Sequence, residues 1–234
     1  TERALTNLGI IADTLGEFEA SRAYYQQALD LARRLEKTAS HATFLIKLGV
    51  MAYAQGEPAE AEAFFRQSLL LKESVGDPNG IAIAVGFLGR LASYRGDYDA
   101  AKPFLERALA IAEEVRDTRT VACVLYELGI VAGRQGAGRV AALYFRRSLN
   151  VARELAEKAT LLEILRSLAE FECKYGSPAR AAQLWGFEEK ERVEMGIAIS
   201  PALVDNHRSI VEAIRRNLGA EAMAHLLSVG RRMD

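Results

Sequence analysis

The sequence predicts an all-α fold, a right-handed solenoid of helical hairpins with a 40-residue period, and three observations carry that prediction. The pair Leu-Gly stands at Leu8-Gly9, Leu48-Gly49, Leu88-Gly89 and Leu128-Gly129, and Leu168-Ala169 continues the series. A second glycine recurs at Gly16, Gly56, Gly96, Gly136 and Gly176. Behind these run a bulky residue at Tyr25, Phe65, Leu105, Phe145 and Trp185, and a leucine at Leu29, Leu69, Leu109 and Leu149. A fixed period of this length marks an array in which each unit is one supersecondary element.

Each unit carries two apolar stripes at helical spacing. In the third they are Val85, Leu88, Leu91 and Ala92, then Ala101, Phe104, Leu105, Ala108 and Leu109. Gly96 suits the left-handed position after the first helix, and Asp97 the N-cap of the second. The fifth unit is expected to turn in the same way at Gly176 and Ser177, with Pro178 at the first helical position. Glycine inside a helix costs about 1 kcal/mol relative to alanine. Its reuse at the register of Gly89 therefore predicts a close helix–helix crossing where no side chain fits. Gly133 lies off that register, so Gly133→Ala is expected to be nearly neutral. Pro103 should kink the second helix of the third unit. In the fifth unit Ala169 replaces glycine, Glu172 replaces the small Ala12, Ala52, Ala92 and Ala132, and Glu188-Glu189 breaks the pattern, so the array is ending there.

Composition narrows the function classes. Half of the 234 residues are apolar, 26% are charged and five are proline, which supplies a sizeable core and argues against disorder. The 30 basic and 31 acidic residues give a formal net charge of −1, without the basic excess that phosphate-backbone binding requires. No uninterrupted apolar stretch is long enough for a membrane span, and no basic-plus-apolar leader opens the chain. A cytoplasmic setting is expected, with Cys123 and Cys173 reduced and packed. No catalytic or metal-binding set is legible: His41, His207 and His225 are scattered, and neither HExxH nor GxSxG occurs. The stretch GRQGAGR (133–139) lacks the GK[ST] ending of a phosphate loop and falls at a helix–helix turn. The chain is expected to be no enzyme and to carry no cofactor.

Leu88-Gly89, Ala101 and Leu105, like Leu48-Gly49, Ala61 and Phe65, resemble the tetratricopeptide repeat (TPR) pattern, in the longer-helix version seen in kinesin light chains. The resemblance covers residues 2 to about 195. It implies five TPR-like repeats (about 2–41, 42–81, 82–121, 122–161 and 162–195) followed by C-terminal capping helices over 196–234. It also implies a concave groove lined by the first helix of each repeat. Carried over by register, one groove row holds Asn7, Lys47, Phe87 and Glu127. A second holds Ile10, Val50, Arg90, Ile130 and Glu170, with Tyr53, Tyr94, Tyr126 and Arg134 nearby. Aromatic and arginine side chains are the commonest binding anchors. The expected occupant is a protein, a peptide or a small inducer.

In the tail, Leu184-Trp185-Gly186 and Asn217-Leu218-Gly219 resemble the C-terminal end of large bacterial signal-transduction ATPases of the STAND type. Those proteins join an effector, such as a LuxR-type DNA-binding domain, to a P-loop ATPase and a TPR array. After Gly196 the tail is expected to restart a helix at Ser200-Pro201, stop at Gly219 and end in a short helix near Glu221–Arg232. The resemblance implies the sensor or interaction arm of a multidomain regulator; a free-standing TPR adaptor is the alternative. Leu5, Leu8 and Ile11 have no preceding repeat to cover them, so an upstream segment of a parent protein is expected to pack on the first helix.

Overall fold

The computed structural model describes residues 1–154, 158–196 and 204–233. They form twelve helices and, among the described residues, no strand. In chain order these are α1 (Glu2–Thr14), α2 (Phe18–Arg34), α3 (Thr38–Ala54), α4 (Pro58–Ser74), α5 (Pro78–Tyr94), α6 (Tyr98–Glu114), α7 (Thr118–Arg134), α8 (Gly138–Glu154), α9 (Lys158–Tyr175), α10 (Pro178–Glu194), α11 (Val204–Leu218) and α12 (Ala220–Gly230). The chain divides into two compact units, Thr1–Glu127 and Leu128–Asp234.

The period has a simple mechanical origin. Helices α2 to α8 are each 17 residues long and three-residue turns separate them, so one hairpin with its two turns takes 40 residues. The turns repeat one hydrogen-bond pattern. At the first, the Glu17 amide donates to the Ala12 carbonyl (2.8 Å) and the Gly16 amide to the Asp13 carbonyl (3.0 Å). This Schellman arrangement needs a left-handed residue. Gly16, Gly56, Gly96 and Gly136 supply it with φ of 77–80° within hairpins, whereas Glu36, Gly76 and Arg116 do so between hairpins. Asp97 caps α6 as expected, its carboxylate accepting from the Ala100 amide at 3.0 Å. GRQGAGR is one of these turns: Gly136 donates to the Gly133 carbonyl and Ala137 to the Ala132 carbonyl.

The fifth turn departs from the expectation. Gly176 is not left-handed, and α9 runs to Tyr175, one residue past its counterparts. Glu172 is the reason. Its carboxylate accepts the Ser177 amide at 2.9 Å, taking the donor that the backbone carbonyl at this register receives elsewhere. Ser177 still caps α10, with its hydroxyl accepting from the Arg180 amide at 3.4 Å. Helix α6 continues through Pro103, which lies on its exposed side, and keeps the 17-residue length of its neighbours.

Packing within each unit follows the first glycine series. A Cβ on Gly9 would lie 2.8 Å from the Tyr25 ring, one on Gly49 2.5 Å from Phe65, one on Gly89 2.7 Å from Leu105 Cγ, and one on Gly129 2.5 Å from Phe145. Each glycine therefore seats the bulky residue 16 positions later, which burial confirms: Tyr25, Phe65, Leu105 and Phe145 are all at most 4% exposed. Gly133 corrects the expectation set for it. A Cβ there would collide with the ring of Phe171, so this glycine is a packing position too. A reciprocal pair joins α10 to α12: a Cβ on Gly186 would strike the backbone of Leu227, and one on Gly230 the backbone of Gln183. The Leu-Trp-Gly motif thus serves a backbone-to-backbone crossing. Helix α11 ends at Leu218 and Gly219 (φ 78°) turns the chain into α12, while Ser200-Pro201 lies outside the described residues.

Three buried polar side chains of the first unit are matched. Ser21 donates to the Gly9 carbonyl at 2.9 Å and Ser68 to the Ala42 carbonyl at 2.8 Å, holding helices at close range. Lys72 is buried, and its ammonium donates to Asp77 (2.8 Å) and Thr43 (3.2 Å). On α1, Leu8 and Ile11 are 42% and 56% exposed, whereas their register-mates Leu48 and Met51 are 2% and 6%. The expected packing of both cysteines fails at Cys123, which is exposed; Cys173 is half-buried, and neither forms a disulfide. At register 123 the side chain falls on the outward side of α7, between the buried Ala122 and Val124.

Candidate functional site

In the first unit, four of the residues singled out in the sequence come together across α3, α5 and α7. Tyr53 and Tyr94 meet edge to face with ring centroids 5.2 Å apart. The Arg90 guanidinium lies 5.6 Å from the centroid of the Tyr53 ring and ion-pairs with Glu127 at 2.9 Å. Helix periodicity explains the convergence: Tyr53, Arg90 and Glu127 each lie on the first helix of their hairpin, and residues three or four apart share a face. Glu127 is 9% exposed and Tyr53 half-buried, so the pair forms a floor; Tyr94, 61% exposed, stands above it. Burial pushes the Tyr53 phenol above its usual range while the Arg90 charge pulls it down, so it stays a neutral hydrogen-bonding group at physiological pH. Cation–π contact and ion pairing together fix the guanidinium plane.

The other candidates divide. Phe87 stacks on Phe65 at 4.9 Å with an interplanar angle of 9° and packs against the hydrophobic core. Asn7 and Lys47 are exposed on α1 and α3, and neither makes a hydrogen bond or ion pair with the four-residue cluster among the described contacts. Ile10 is exposed, and Val50 and Tyr126 are half-buried. In the second unit Ile130 is half-buried, Glu170 is exposed, and Arg134 lies 4.2 Å over the ring of Tyr175.

A cleft in the second unit escaped the sequence reading. Gly133, Gly136, Gly138, Ala142, Phe145, Phe171, Glu172, Tyr175, Gly176, Ser177 and Arg180 line a space of about 340 Å³. Phe171 is its aromatic centre, 4.8 Å from Phe145 and 5.4 Å from Tyr175. The signal was present at two registers. Gly138 stands where Phe18, Pro58 and Tyr98 begin their helices, and Ala142 stands where Arg22, Glu62 and Lys102 carry long side chains.

Among the described residues no group of three or more His, Cys, Asp or Glu side chains could hold a metal ion. No helix of the described residues is long and apolar enough to cross a membrane.

Helical hairpins repeating every 40 residues define a helical repeat protein. The tetratricopeptide repeat profile matches residues 1–74, 40–114 and 80–154, and the chain belongs to that family. No curated protein matches it. Among solved structures, BtubC from P. vanneervenii is similar with a TM-score of 0.66 and 18% identity, over 92% of this chain and 90% of that one. The Rap protein complexed with Competence and Sporulation Factor gives a TM-score of 0.72 and 15% identity, over 95% of this chain and 70% of that one. A putative kinesin light chain with nearly identical TPR-like repeats, from Podosopora anserina, gives 0.58 and 15%, over 83% and 95%. These likenesses bear on the fold.

Proposed function

We propose that this chain is the protein- or peptide-binding arm of a multidomain, cytoplasmic bacterial regulator of the STAND type, with its ligand seated on the face built by Tyr53, Arg90, Tyr94 and Glu127. The observation that carries the reading is the arrangement of that face. A mostly exposed tyrosine, Tyr94, packs edge to face on Tyr53, whose ring also carries the Arg90 guanidinium held by Glu127, so little side-chain entropy remains to be lost on binding. The TPR fold suits such a role, and in the Rap structure a chain of this fold is complexed with a factor. The tail motifs Leu184-Trp185-Gly186 and Asn217-Leu218-Gly219 support the regulator over a free-standing adaptor. A ligand acts on an attached ATPase only through unequal affinity for its resting and active states.

The test places a photo-crosslinking residue at Tyr94 and, as control, at Leu70, which is 67% exposed on α4. A discrete crosslinked product in cells is expected from position 94 and not from position 70. Equal labelling at both positions refutes the assigned face. Sequencing the gene ahead of the Thr1 codon tests the parent: a GxxxxGK[ST] motif supports the regulator, and a start codon close to Thr1 refutes it.

A further inference from the structure

The buried stripe of α10 carries a carboxylate where the array elsewhere places a small residue. Glu188 stands one period after Ser148, in the register of Ala28, Ser68 and Ala108, all of them fully buried. Arg192 takes the register of Ala32, Lys72, Ala112 and Ala152, and on α9 Arg166 takes that of Ile46, Gly86 and Tyr126. Glu188 is 1% exposed and shares its helix face with the buried Ala181, Leu184 and Trp185. Helix α10 packs against α9, α11 and α12, so the carboxylate sits inside the C-terminal helices. Its contact with cationic partners is loose. Arg192 Nε stands 3.7 Å from Glu188 Oε2, beyond hydrogen-bond distance, and among the described residues Oε2 accepts no hydrogen bond. Lys72, the other cation of the Arg192 register, instead meets Asp77 at 2.8 Å.

Two opposing effects set the protonation of this group. Burial without hydrogen bonds disfavours the charged carboxylate, and neighbouring cations favour it. Burial is the larger effect and holds the Glu188 carboxyl above the usual glutamate range; Arg192 and Arg166 pull it down, and Glu189 adds to the rise. The charged or titratable side chains described on α11 and α12 (Arg208, Glu212, Arg215, Arg216, Glu221 and His225) are exposed. On α9, Glu170 and Lys174 are exposed, and Glu172 pairs with Arg180. We infer that Glu188 is a proton-operated latch: uptake of a proton tightens the packing of α10 on α9, α11 and α12, and ionisation loosens it. Linkage gives the sign. A carboxyl raised in the folded state contributes stability that is fully present below its unfolded pKa and is lost as pH rises through the folded value. The first unit has the opposite sign: Arg95 holds Glu62, Lys72 holds Asp77 and burial holds His41 below their usual ranges, so acid removes stability there. Mild acid therefore firms the C-terminal helices without firming the first unit.

The test follows the Glu188 side-chain carboxyl carbon of the 234-residue chain by NMR, with Glu188→Gln identifying the resonance. The titration runs from about pH 8 to about pH 4, which spans the usual glutamate value. Native-state hydrogen exchange, corrected for intrinsic rates, reads the packing of α10 and α12. The resonance should titrate above the usual glutamate range. Protection of α10 and α12 should rise as pH falls through that titration, by up to about tenfold per pH unit, while α3 to α5 show no rise. Glu188→Gln is close in shape and uncharged, so at neutral pH it should already have the higher protection and gain none in acid. It retains the exposed His225, and a rise that survives in it would come from another group. Arg192→Gln removes the stronger of the two cations acting on Glu188 and should move the titration further up. Four results overturn the inference: a Glu188 titration at or below the usual range, no acid-induced rise at α10 and α12, a rise that persists in Glu188→Gln, or a titration that Arg192→Gln leaves in place.

Discussion

Two of the three glycines in helix α5, Gly86 and Gly89, have different surroundings, and they make the crossing argument quantitative. At Gly86 an added Cβ meets Val124 Cγ2 at 3.4 Å and Ala108 Cβ at 3.7 Å, which is ordinary contact. At Gly89, three residues on, the same methyl lies 2.7 Å from Leu105 Cγ, 2.9 Å from its Cδ2 and 3.1 Å from Phe104 Cβ. Leu105 is completely buried and cannot swing into solvent. Replacing either glycine by alanine gains about 1 kcal/mol of helix propensity. Gly86→Ala should keep most of that gain. Gly89→Ala must set against it an overpacking cost of about 1–3 kcal/mol, leaving it neutral to about 2 kcal/mol destabilised. Because the propensity gain cancels in the comparison, the gap between the variants measures the crossing alone: about 1–3 kcal/mol. Urea unfolding followed by far-ultraviolet circular dichroism, with equal m-values, reads the gap as a difference in midpoint. In a Leu105→Ala background the obstruction disappears, and Gly89→Ala should become as favourable as Gly86→Ala, a coupling visible in a double-mutant cycle. If Gly86→Ala and Gly89→Ala shift the midpoint equally in the original background, the glycine series has some cause other than close approach.

Two further predictions concern charge. Tyr94→Ala should leave stability nearly unchanged, as exposed substitutions do, whereas Arg90→Ala removes the partner 2.9 Å from a carboxylate that is 9% exposed and should cost on the order of 1–3 kcal/mol in the same unfolding assay; equal effects of the two would mean that the ion pair does not stabilise the face. At the junction of α4 and α5, the bond from Lys72 first and the Gly80 amide second hold the Asp77 carboxyl below the usual aspartate range. A carboxyl depressed in the folded state contributes stability above its unfolded pKa, and that contribution is lost as pH falls through the folded value. Asp77→Asn keeps a capping side chain but strips the charge from buried Lys72, so it should cost on the order of 1–3 kcal/mol at pH 7, less than a fully buried pair because Asp77 is a third exposed. The gap to the unmodified chain should close below the aspartate's folded pKa; a gap that persists there would assign the loss to packing.

The hairpins were legible because the array repeats one solution. Three-residue turns with a left-handed residue, a glycine at each crossing and a bulky residue 16 positions later are local requirements, and each forces a residue type at a fixed register. Legibility stopped where a residue is specified by a partner far along the chain. Gly133 looks idle beside the series at Gly129, because what it accommodates is Phe171, 38 residues away. Glu172 read as the end of the pattern; its carboxylate in fact replaces a backbone carbonyl in the turn, which frees Gly176 from the left-handed region. The binding face was half legible. Register placed Tyr53, Arg90, Tyr94 and Glu127 on first helices, but it could not separate Phe87, whose ring turns down onto Phe65, from side chains that stand outward.

In this array the cleft lies where one hairpin departs from a pattern that its neighbours keep. Bridges such as Arg22–Glu60 and Arg95–Glu62 close the equivalent spaces in the first unit, and each joins side chains from neighbouring hairpins. Individually such exposed pairs contribute little stability, about 0–1 kcal/mol, so their loss in the fourth hairpin costs the fold almost nothing. What it opens is apolar: three aromatic rings in sequence, Phe145, Phe171 and Tyr175, at a place where Gly133 has removed the one methyl that would push the central ring away. Four residues at separate registers (Gly133, Gly138, Ala142 and Phe171) line the same space.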